Sequence, residues 1–176
     1  MLINPQKLAD SITAYSVAKE FVPTTWDTAT TRIACIYKEI DELVEALEKW
    51  DGDRDALDLI RAAQFELADV AIYALLVMSH LGNENWHFRV GLQERVPAFA
   101  TADRVVRPLR KYAGKALDAW RLGQKRDVLQ SLEFVVVACA VMAGKFFGAS
   151  IDLLVMAKLN FMWSRPARHG GKDARS

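Results

Sequence analysis

The chain has 176 residues, 52 % of them apolar and 26 % charged, a composition that suits one globular domain with a real core rather than a disordered chain. Net charge is +1, so the molecule as a whole is not built to collect polyanions. The basic excess is local: SRPARHGGKDARS, near the C-terminus, carries Arg165, Arg168, Lys172 and Arg175 against Asp173 alone.

Nearly all the periodicity is helical. MLINPQKLADS lacks the charged start and long apolar run of a secretion signal, and a first helix is predicted over about residues 5 to 21, ending before Pro23. A second starts near Thr25 or Asp27, both good caps, and continues to Trp50. DGDRD is a turn. A third helix covers about residues 56 to 80 and stops at Gly82. The stretch from 82 to 104 shows no clear period. A fourth helix spans about 102 to 122, Gly123 separates it from a fifth over about 126 to 147, and a sixth covers about 151 to 163, before Pro166 and the Gly-rich basic tail. The expectation is an all-α bundle of five to six helices, one domain over 1–164 with a basic tail over 165–176.

Cys35 and Cys139 are far apart in sequence, in apolar helical contexts without metal-type spacing, and read as reduced core residues. The longest uncharged apolar run, FVVVACAVMAG, lies between Glu133 and Lys145 and falls well short of the ~20 residues that a membrane span needs. A cytoplasmic protein with no membrane association is the expectation.

One internal similarity stands out. EALEKW, then Gln64 and Gly82, recurs as KALDAW, then Gln130 and Gly148, with an offset of 70 before the turn and 66 after it. Two amphipathic helical pairs can match this well by chance, so a degenerate repeat and a coincidence both stand. In that alignment Glu39, Glu42, Glu66 and Asp69 fall opposite Leu109, Tyr112, Leu132 and Val135.

Those four acids are the chemical feature of the chain. In KEIDELVEALEKW, residues three apart share a helix face. Ile36, Ile40, Leu43, Leu47 and Trp50 form an apolar stripe about 80° wide; Glu39 sits on its inner margin and Glu42 just outside it, while Glu45 and Glu48 fan away like an ordinary solvated edge. In FELADVAIYALLVM, Asp69 is the only charge between Leu67 and Met78, on a helix apolar all round. Such a helix is normally buried, and a buried carboxylate left unpaired loses many kcal/mol or becomes neutral. Glu66, aligned with Tyr73 and Val77, shares the difficulty. An Arg or Lys from another helix is the plain remedy. Two E-x-x-[ED] pairs on packed helices would instead gather four carboxylates, which calls for a hard divalent cation, Mg²⁺ first and Mn²⁺ as the alternative. No histidine has a partner at zinc-ligand spacing.

Glu39-x-x-Glu42, a gap of 23 residues, and Glu66-x-x-Asp69 resemble the signature of the MazG-like, all-α nucleoside triphosphate pyrophosphohydrolases. KEIDELVEAL is similar to that family's EExxELxEA, and ELADVAIYALL to its ELxDVLxxL; Lys38 departs, standing where many members have another Glu. The likeness covers about residues 31 to 82, with a looser match near the C-terminal end.

The resemblance implies Mg²⁺-dependent hydrolysis of a nucleoside triphosphate, a dNTP or non-standard NTP, to the monophosphate and pyrophosphate. Glu39, Glu42, Glu66 and Asp69 would be the catalytic and metal-binding acids, with Glu45 an outer helper. In KLNFMWSRPARHGGK it implies that Lys158, Asn160 and Arg165 contact phosphate or base. Arg168, His169 and Lys172 would close over the triphosphate, with Gly170 and Gly171 allowing close approach; a frayed, solvated tail is the plain alternative. Relatives commonly form homo-oligomers, dimers or tetramers, and no stable nucleic-acid partner is expected. A reading from a different class stands beside this one: a helical binding or scaffold protein whose acids pair internally with Lys and Arg.

Overall fold

A computed structural model describes residues 5–18, 24–50, 55–82 and 101–164, and these form six helices with no strand among them. They are α1 (Pro5–Ala18), α2 (Ala29–Trp50), α3 (Leu57–His80), α4 (Ala102–Arg121), α5 (Lys125–Phe146) and α6 (Ile151–Trp163). The all-α expectation holds, with most helix ends within a residue of where the sequence puts them. The irregular stretch expected from 82 to 104 and the basic tail from 165 onward lie largely or wholly outside the described residues.

The start of α2 differs. The regular helix begins only at Ala29, and Thr25 caps the turn that leads into it, its Oγ1 accepting from the Thr28 N–H at 3.4 Å. The Thr25 N–H donates to Thr28 Oγ1 at 2.8 Å, and the Ala29 N–H donates to the Trp26 carbonyl at 3.3 Å. Threonine side chains that bond to nearby backbone offer the chain an alternative to the helix, and here that turn takes the first four positions.

α3 explains its own composition. It packs against α1, α2, α5 and α6; from Ala63 on no residue is exposed, and Leu67, Val70, Ala71, Ala74, Leu75, Val77 and Met78 are essentially inaccessible. α2 lies along α3 and α4 along α5, giving two helical hairpins that cross-pack through α3 with α5 and α2 with α4. These are the two segments that the internal similarity aligns. Gly82 and Gly148, matched in that alignment, both end their helices at positive φ, +76° and +60°, where a side chain would be strained.

Between the hairpins, Arg110 of α4 bonds to Asp41 of α2 at 2.8 Å and to Asp103. The Trp120 indole N–H donates to the Trp26 carbonyl at 2.8 Å. By length and composition α3 and α5 could each cross a membrane, and more than half of each apolar stretch is buried against other helices.

Candidate functional site

The acids of α2 and α3 meet across the first hairpin. Glu39, on the inner margin of the apolar stripe of α2, is 7 % exposed. Glu42, one turn on, is part-exposed, and Glu66 of α3 is half-buried. Glu39, Glu42 and Glu66 each offer a carboxylate oxygen within 4.8 Å of the others. Asp69, one turn beyond Glu66, borders this group and acts electrostatically on Glu39.

Two lysines enter. Lys38 Nζ bonds to Glu42 at 2.6 Å and lies 3.8 Å from Glu39. Lys158, from α6, forms an ion pair with Asp69 in which both side chains are mostly buried. Four carboxylates therefore meet two ammonium groups, two charges short of neutrality when all are ionised. For Asp69 the plain remedy foreseen from its sequence context, a Lys from another helix, is what the fold provides.

The titration of the acids follows from this layout. Burial first, then the negative neighbours Asp69 and Glu42, push Glu39 up to about 7. The hydrogen bond from Lys38 holds Glu42 below the usual carboxylate range. Burial lifts Glu66 and Asp69, opposed in both by Lys158. A protonated Glu39 donates a hydrogen bond to ionised Glu42, so the pair can share a proton where like charges crowd.

The donor set fits a small divalent cation. Ligands at about 2.1 Å around an octahedral ion stand about 3 to 4 Å apart, so oxygens already within 4.8 Å need little movement to close on one. All three donors are hard oxygens, as Mg²⁺ or Mn²⁺ prefers.

The remaining expected residues divide. Lys158 reaches the acids. Asn160, about 200° further round α6, is exposed and turned away from them. Glu45 is exposed, 3.8 Å from Lys49 on the solvent side of α2, and outside the group. Arg165, Arg168, His169, Gly170, Gly171 and Lys172 lie outside the described residues. His80 accepts a hydrogen bond from the Thr24 N–H at Nδ1, 3.0 Å away, which ties the start of the α2 segment to the end of α3.

Two neighbours were not singled out from sequence. Tyr73, one turn beyond Asp69, is half-buried with its hydroxyl pushed up to about 12 by burial and then by nearby Cys35, Glu39 and Asp69. Lys38, which departs from the family pattern, has i,i+4 spacing to Glu42, and that spacing signals the pair. At the aligned positions of the second hairpin, Leu109, Tyr112, Leu132 and Val135 are all buried core residues, and Tyr112 lies against Phe134 with ring centroids 4.9 Å apart.

Comparison with protein-family models, with curated proteins and with solved structures returns no match.

Proposed function

We propose that this chain is a Mg²⁺-dependent nucleoside triphosphate pyrophosphohydrolase. The observation that carries the reading is the meeting of Glu39, Glu42 and Glu66 from two helices, with oxygens within 4.8 Å and lysine charge too small to balance them. The ordered pair of motifs, with its resemblance to the MazG-like enzymes, supplies the reaction.

In that reaction water attacks the α-phosphorus, its oxygen joins the nucleoside monophosphate, and pyrophosphate leaves. Mg²⁺ bound there would neutralise charge on the phosphate oxygens and acidify water. Glu42, held ionised by Lys38, anchors the acidic set. Lys158 stands beside the acids, paired with Asp69; Arg165, Arg168 and Lys172 of the tail would bring positive charge to the phosphates. The substrate is a (d)NTP, and the relatives' habit of assembling suggests a homo-oligomer.

The scaffold reading is favoured by one observation of its own, the ion pairs Lys38–Glu42 and Lys158–Asp69, which already neutralise two acids. Incubation with a panel of (d)NTPs and Mg²⁺, followed by product identification, separates the two. Pyrophosphate release that EDTA and Glu66→Gln both abolish is expected; no turnover across the panel by the folded protein favours the scaffold.

A further inference from the structure

Lys158 is held by two side chains of α3. Its ammonium pairs with Asp69 Oδ2 and lies 5.1 Å from the centroid of the Phe65 ring. Phe65 and Asp69 are one turn apart on α3, so they straddle the lysine. Phe161, one turn on from Lys158 along α6, packs on the same ring at 5.3 Å. The ion pair is poorly accessible, 13 % and 15 % exposed at the two side chains. A long, flexible side chain fixed this way is part of the bundle's interior, unlike Lys38, which is 66 % exposed.

We propose that Lys158 is a built-in second cation: it occupies Asp69 in place of a metal ion, so the acidic site takes one divalent ion, at Glu39, Glu42 and Glu66, with Asp69 committed to the lysine. This rests on the reading of the acids as a cation site. A second divalent ion at Asp69 would sit within a few ångströms of the ammonium, and two cations that close, in a largely dry setting, repel strongly. Asp69 therefore shapes the charge around the site through Lys158 and is a positioning residue, not a ligand, while that pair stands.

The test is titration of the metal-free full chain with Mn²⁺ alone, counting ions per chain and their affinity from the spectrum of free Mn²⁺. Wild type is expected to bind one ion. Lys158→Met exposes Asp69 to the metal, and either a second ion binds or the first binds at least about tenfold more tightly. Lys158→Met combined with Asp69→Asn removes both charges together, and one ion should bind within about fivefold of the wild-type affinity. The double variant also decides the matter if the single one, with its orphaned buried carboxylate, fails to fold.

Two ions in wild type, unchanged or weaker binding in Lys158→Met, or a larger loss in the double variant each overturn the inference. Unchanged Lys158→Met beside a one-ion wild type removes this inference alone. Folded wild type that binds no Mn²⁺ removes the site, and the proposed function with it.

Discussion

Glu39 and Glu42 are one turn apart on the same helix, yet their environments drive them in opposite directions. Burial and two negative neighbours raise Glu39 to about 7, whereas Lys38 keeps Glu42 low. The unfolded chain would titrate Glu39 near 4.5. Between about 4.5 and 7 the folded state thus binds more protons than the unfolded one, and the contribution of Glu39 to stability is fully present below that window and lost as pH rises through it. Thermal unfolding in EDTA from pH 4.5 to 8 checks this. Relative to Glu39→Gln, wild type should lose melting temperature progressively up to pH 7 and then level off; a difference that does not vary with pH contradicts it. Mg²⁺ should oppose the loss, because binding to the ionised carboxylates displaces the proton.

Single residues carry most of the chemistry legible in the sequence and say least about their partners. That Asp69 needed a cation followed from one acid on a helix apolar all round. Which cation could not be read, since Lys158 reaches Asp69 only through the packing of α6 on α3. Asn160 shows the same limit: the resemblance grouped it with Lys158, but two positions on a helix are almost opposite faces.

At the scale of elements, the helices were legible because their apolar periodicity and glycine stops agree with their tertiary roles. At the start of α2 the cap was legible and the helix start was not: Thr25 and Thr28 bond to each other's backbone N–H in a turn ahead of the regular helix. Gly82 and Gly148 make a direct test of the stops. Replacing either with Ala should cost about 1 kcal/mol in chemical denaturation, the usual penalty of a side chain at positive φ; a neutral or stabilising result at both would contradict the left-handed ends. A larger loss is expected inside α3. Leu75 is fully buried on the helix that four others contact, so Leu75→Ala should cost about 2–5 kcal/mol, read as a lower denaturation midpoint with an unchanged slope. A cost under about 1 kcal/mol would mean that the centre of the bundle lies elsewhere.

Over the whole molecule, the two hairpins divide the work unequally. The first exposes an acidic margin to its partner helix and gathers three carboxylates. The second fills the aligned positions with Leu109, Tyr112, Leu132 and Val135 and gains core. Charge in the first hairpin is a cost of folding that the proposed cation would offset, which would link stability and function through mass action. With Mg²⁺ at about a hundred times its dissociation constant, stability should rise by about 2.7 kcal/mol, seen as a higher melting temperature that EDTA reverses and that Glu66→Gln lacks.

The reaction itself is tested most directly by hydrolysis of a (d)NTP with Mg²⁺ in ¹⁸O-enriched water, with the label located by mass spectrometry. Attack at the α-phosphorus puts ¹⁸O into the nucleoside monophosphate and leaves pyrophosphate unlabelled. Label in pyrophosphate or in orthophosphate, or no labelled product from any nucleotide, would contradict it.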